Sequence, residues 1–134
     1  MPPKVRDTFT VRSDHDVVTV RQKARQLATE LGFSLVNQTK LVTAVSELAR
    51  NMVVWGGGGT VRMEIVKNGA LQGVRLTFED HGRGIPDIEQ AMKDGYSGGS
   101  GLGLGLGGAK RLVDEFDIVS RVGKGTRVTI TRWK

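Results

Sequence analysis

The chain has 134 residues, no cysteine, and 20 Lys+Arg against 14 Asp+Glu, a formal net charge of +6. That length suits one domain with a core of its own. The absence of cysteine excludes a disulfide framework, a thiolate metal site and a thiol nucleophile. Two histidines are too few strong ligands to argue for structural zinc. No apolar run approaches the roughly 20 residues of a membrane span, and Met1 to Arg12 lacks the apolar stretch of a secretory signal. The expectation is a soluble, cytoplasmic single domain spanning 1–134.

In chain order, Thr8, Thr10 and Arg12 alternate with Phe9 and Val11, which predicts a short first strand. Ser13 with Asp16 resembles a capping box. Val17, Val20, Ala24, Leu27 and Leu31 then recur at helical spacing up to Gly32, a C′ stop. A second helix is predicted from about Asn37 to Val54, with Leu41, Val45, Leu48 and Met52 as its apolar stripe, ended by the run Gly56 to Gly59. Strands follow at Thr60 to Val66 and around Val74, Leu76 and Phe78, with Asn68-Gly69 as the turn between them. From His81 to Ser100 the pattern weakens into a long loop with a short helix at Ile88 to Met92. A third long helix is predicted from about Leu104 to Phe116, and Ile118 to Val122 with Thr126 to Arg132 closes the chain as a hairpin around Gly123-Lys124-Gly125. The fold class expected is α+β: a two-layer sandwich with helices on one face of a mixed, mostly antiparallel sheet.

Two features of composition bear on function. The positive charge could serve solubility, an acidic partner or nucleic acid, but aromatics are only 5% of the chain and nothing suggests base stacking. The 19 glycines cluster at Gly56 to Gly59 and at Gly98 to Gly108, which needs a reason because glycine is costly to order.

Three constellations carry chemistry. Asp80 continues the parity of Val74, Leu76 and Phe78, so its carboxylate faces the core side and needs a donor from protein or ligand; the bland alternative is a turn aspartate at a frayed strand end. Gly82 and Gly84 follow it and permit close approach to the backbone. Glu47 and Asn51 are one helical turn apart at the flank of the apolar stripe, where a carboxylate and an amide could accept a proton and bind a hard cation; the alternative is a solvated helix edge. Arg50 is expected on the opposite, more exposed side. Gly101, Gly103, Gly105 and Gly107 alternate with leucines into a helix, an arrangement of free backbone N–H groups suited to phosphate. It is neither a Walker A loop nor a Rossmann fingerprint, since no Gly-Lys-Ser/Thr follows and the acidic residue precedes it.

The order of these motifs resembles the Bergerat ATP-binding family of gyrase B, Hsp90, histidine kinases and MutL (GHKL). Ser46-Glu47-Leu48-Ala49-Arg50-Asn51 is similar to its N box, Asp80-His81-Gly82-Arg83-Gly84-Ile85-Pro86 to its first glycine box, and Gly101-Leu102-Gly103-Leu104-Gly105-Leu106 to its second. Gly123-Lys124-Gly125-Thr126 resembles the turn before its last strand. Transducer domains and a phospho-accepting histidine on a helical hairpin are not expected within these 134 residues. The chain therefore resembles the free-standing anti-sigma-factor type of serine/threonine kinase, in particular the switch kinases of stressosome modules (the RsbT type).

The resemblance implies ATP and Mg²⁺ as cofactors. Asp80 would accept the adenine amino group, Gly84 would lie under the purine, and Thr126 would join the adenine contact. Asn51 would be the metal ligand, and Gly82 would belong to the same binding set. Gly101, Gly103, Gly105 and Gly107 would wrap the phosphates within an ATP lid around 82–104, mobile at Gly95 to Gly99, while Lys110 either reaches a phosphate or lies in solvent. Glu47 would be the catalytic base. The partners implied are STAS-domain antagonist and scaffold proteins and a PP2C-type phosphatase, with no nucleic acid or membrane. An anti-sigma factor that sequesters a sigma factor is the alternative. Trp55 departs from the pattern, standing four residues after Asn51 where relatives carry a polar residue, and the Gly56 to Gly59 run is longer in glycine than expected.

Overall fold

The computed structural model describes residues 4–93 and 105–134. Its elements run β1 (Lys4–Val11), α1 (Asp14–Glu30), α2 (Leu35–Gly56), β2 (Gly59–Asn68), β3 (Leu71–Asp80), α3 (Ile88–Ala91), α4 (Gly105–Arg111), β4 (Glu115–Arg121) and β5 (Gly125–Trp133). The strands form one sheet in the order β1-β2-β3-β5-β4. Every pairing among the described residues is antiparallel, so the sheet is not mixed as expected.

Capping chemistry fixes both long helices. The Ser13 hydroxyl accepts from Asp16 N–H at 3.3 Å, and Asp16 in turn accepts from Arg12 N–H at 2.9 Å. Ser34 does the same for Asn37 at 3.2 Å and so starts α2 two residues before Asn37. At its far end α2 runs past Val54 through Gly56, and Gly57 closes it in the left-handed conformation with φ 73°. The predicted apolar stripes of α1 and α2 are buried, apart from the half-buried Leu31, in one core with Val61, Met63, Val74, Leu76, Phe78, Val128 and Ile130 of the sheet. In the β2–β3 hairpin the two loop residues are Gly69 and Ala70, with Gly69 at φ 62°, one position later than expected.

The third long helix is a correction. α4 ends at Arg111, its last turn tightened by Leu112 N–H to Ala109 and Val113 N–H to Lys110. Glu115 and Phe116 already pair with Thr131 and Ile130 of β5. Phe116, Ile118 and Ser120 are partly buried while Glu115, Asp117, Val119 and Arg121 are exposed, a period of two that only a strand satisfies. The α3 turn stands where predicted, with Asp87 accepting from Gln90 N–H at 3.0 Å. Among the described residues no helix is long and apolar enough to cross a membrane.

Candidate functional site

A cavity of about 440 Å³ lies between α2, the end of β3, the 81–87 segment, α4 and the β4–β5 hairpin. Leu48, Met52, Phe78, Ile85, Leu106 and Val128 give it an apolar lining. Asn51, Asp80, Arg83 and Thr126 supply its polar groups, the composition of a small-molecule site.

Asp80 is the last residue of the central strand, in register with Gly59 of β2 and Thr126 of β5. Its Oδ1 accepts from Gly82 N–H at 2.9 Å and from Thr126 N–H at 3.3 Å. One carboxylate oxygen is thereby held by two backbone donors, so the side chain is fixed by the protein and is no frayed turn aspartate. The last turn of α2 closes on it: a Cβ on Gly56 would stand 2.5 Å from the carboxylate. The Thr126 hydroxyl lies 2.8 Å from that of Ser120, which also accepts from Ile85 N–H at 2.8 Å. Ser120 thus ties the segment after Asp80 to the hairpin. Sequence reasoning missed it, although the signal was present: Ser120 is polar at a position whose parity with Phe116 and Ile118 is apolar.

Asn51 lines the cavity from α2, but Glu47, one turn earlier, does not. Glu47 is only 9% exposed. Its Oε1 is 3.0 Å from the Arg50 guanidinium and its Oε2 accepts from Gly105 N–H at 3.4 Å. Neither a solvated edge nor an opposite-facing Arg50 is found: Arg50 is the more exposed of the two, as expected, yet it folds back to pair with Glu47. The carboxylate therefore joins α2 to the start of α4.

Gly82 packs on the Gly56 backbone, so a side chain there would clash. Gly84 lines the cavity at φ 75°, and a Cβ on it would stand 2.2 Å from the Arg121 carbonyl. Its need for glycine is met by the hairpin backbone. Gly105 and Gly107 are buried in α4 and do not line the cavity, and Gly107 lies against the Met92 carbonyl. Lys110 is exposed in the last turn of α4, away from the lining. Gly101 and Gly103, Gly95 to Gly99, and the expected lid beyond Lys93 as far as Leu104 lie outside the described residues. Trp55 is a wall residue, with the Arg83 guanidinium 4.7 Å from its ring centroid.

Among the described residues no three His, Asp or Glu side chains converge as a metal cage. Asn51 lines the cavity from α2, and a side-chain amide carries an oxygen of the kind that binds hard cations.

Comparison with known proteins agrees with this geometry. Residues 36–134 match the family of histidine kinase-, DNA gyrase B- and HSP90-like ATPases. The serine/threonine-protein kinase RsbT of Bacillus subtilis is 44% identical over 123 residues, 92% of each chain. An anti-sigma F factor of Anoxybacillus flavithermus is 30% identical over 110 residues, 77% of this chain and 74% of that protein. Among solved structures, the RsbU and RsbW domains of a Mycobacterium tuberculosis protein superpose with a TM-score of 0.67 at 24% identity. The match covers 100% of this chain and 33% of that one, and it bears on the fold alone. The chain belongs to the histidine kinase-, gyrase B- and HSP90-like ATPase family, and within it stands with the small serine/threonine kinases and anti-sigma factors.

Proposed function

We propose that this chain is an ATP- and Mg²⁺-dependent serine/threonine protein kinase of a bacterial partner-switching pathway, acting in the cytoplasm as one nucleotide-binding domain. Its substrates in this reading are STAS-domain antagonist or scaffold proteins, and once released from them it activates a PP2C-type phosphatase. The observation that carries the reading is the 44% identity to a serine/threonine-protein kinase over 92% of the chain. The cavity supports it. Asp80 is positioned by Gly82 and Thr126 through one oxygen, which leaves Oδ2 to accept the adenine amino group, with Gly84 and Thr126 beside the base. Asn51, which lines the cavity, would hold Mg²⁺ through its side-chain oxygen.

Glu47 takes the proton of the acceptor hydroxyl. That oxygen then bonds to the γ-phosphorus, the bond to the bridging oxygen breaks, and ADP leaves. Because Glu47 is held by Arg50 and by the first amide of α4, proton acceptance is coupled to where α4 sits.

The test is transfer from γ-labelled ATP with Mg²⁺ to STAS partners, wild type beside Glu47→Ala and Asp80→Asn. Label on a partner serine or threonine is expected with the wild type. Glu47→Ala should lose transfer while keeping nucleotide affinity, and Asp80→Asn should lose both. The anti-sigma F relatives at 30% identity favour a second reading, sequestration of a sigma factor in an ATP-dependent way. Intact ATP binding with no transfer to any STAS protein, together with capture of a sigma factor, would select it.

A further inference from the structure

We propose that Arg83 is a nucleotide-contacting residue, the cation that meets the anionic tail of the nucleotide, and that the Trp55 indole is the platform that holds its guanidinium at the cavity wall. The inference rests on the nucleotide-binding reading above and adds to it the residue that distinguishes a nucleotide from a nucleoside.

Charge supplies the first reason. Of the described residues that line the cavity, Arg83 alone is cationic. The rivals are placed elsewhere: Arg50 is paired with Glu47, and Lys110 is exposed on α4 away from the lining. Residues 94–104 contain no Lys or Arg, so that segment has no cation to offer.

Geometry supplies the second. The guanidinium lies 4.7 Å from the Trp55 ring centroid, inside the range of a cation–π contact. A guanidinium stacked on an aromatic face keeps its in-plane donors available, which suits the forked recognition of phosphate. The backbone beneath it is fixed on both sides. Gly82 N–H is bonded to Asp80, the Arg83 carbonyl accepts from Gly123 N–H at 2.8 Å, and Gly84 is wedged against Arg121. Gly56 and Gly82 touch, so their neighbours Trp55 and Arg83 meet through the same packing that positions Asp80. A stacking partner also restricts the many rotamers of a long arginine, so less freedom remains to be lost when a ligand binds.

A surface cation–π pair with no ligand role makes a different prediction: its loss would change stability and leave the discrimination between adenosine and ATP untouched. The experiment is calorimetric titration of adenosine, ADP and ATP, at one ionic strength, into wild type, Arg83→Ala, Arg83→Lys, Trp55→Leu and Lys110→Ala. Arg83→Ala is expected to weaken ATP about tenfold or more, as loss of a charge-assisted contact does, with adenosine affinity retained. Arg83→Lys should recover part of the loss, and Trp55→Leu should show a smaller, equally tail-dependent loss. ATP affinity unchanged in Arg83→Ala, equal losses for adenosine and ATP, or a tail-dependent loss confined to Lys110→Ala each overturn the proposal while leaving the nucleotide reading intact. A folded wild type that binds neither adenosine nor ATP overturns both.

Discussion

Asp80 and Gly56 form a lock between the last turn of α2 and the end of β3, and their contact decides how tightly the carboxylate is placed. A methyl group on Gly56 would stand 2.5 Å from both the carboxyl carbon and Oδ2, and the side chain it meets is short and held by two backbone donors. Gly56→Ala is therefore expected to destabilise the fold by about 1–3 kcal/mol, the cost of overpacking. It should also weaken ATP by tenfold or more, because the carboxylate must shift. The neighbouring Gly57 gives the contrast. It has open space around it but sits at φ 73°, so Gly57→Ala should cost roughly 1–2 kcal/mol of backbone strain with ATP affinity retained. Urea unfolding and ATP titration of the two variants separate these effects. Wild-type ATP affinity in Gly56→Ala would dismiss the role given to Asp80. At this scale the sequence was readable wherever a residue broke a local pattern: Asp80 stood out as a charge on an apolar parity. The glycine run stood out too, but its reasons lie in partners remote along the chain, Asp80 for Gly56 and Glu79 for Gly59. The pairing of Glu47 with the α4 amide was likewise invisible, because it spans 58 residues.

The strands carry a second pattern on the face away from the helices. Arg75 stands opposite Glu64 and Thr131 in register, its Nε donates to the Thr131 hydroxyl at 2.9 Å, and its guanidinium lies 3.6 Å from Glu115. Glu64 in turn pairs with Arg62 at 3.4 Å. Thr131 is only 1% exposed, so the hydroxyl depends on this partner. Arg75→Ala leaves it without its donor and should lower stability by about 1–3 kcal/mol. Because the ladder lies outside the cavity lining, ATP affinity should not follow; a parallel loss of binding would mean that the outer face and the cavity are coupled. Element types were read correctly for every strand and for α1 to α3. The error fell at the α4–β4 junction, where Leu106, Ala109, Val113 and Phe116 are spaced for a helix and Phe116, Ile118 and Ser120 for a strand. Local spacing fits both, and pairing with β5 decides for the strand from Glu115 onward. Three glycines also make α4 a weak helix, poorly placed to resist.

At the scale of the molecule, the cavity exists only when distant parts of the chain are assembled. Asn51 and Gly56 come from α2, Asp80 from the end of the middle strand, Leu106 from α4, and Thr126 from the start of β5. An unfolded chain holds none of these together, so a ligand of the cavity binds the folded state alone and must raise its stability. At one hundred times its dissociation constant the gain is about 2.7 kcal/mol, which for a chain of this length raises the melting temperature by roughly 10 °C. ATP with Mg²⁺ is expected to produce that shift in the wild type. Asp80→Asn should lose most of it, since the carboxylate is the fixed acceptor of the site. Arg75→Ala should melt lower without ligand yet rise by the same increment on addition of ATP, because its defect lies on the other face of the sheet. The comparison separates damage to the fold from damage to the site, which a single melting temperature would confuse. A wild type whose melting temperature does not move at saturating ATP would remove the nucleotide from this cavity, whatever the family resemblance implies.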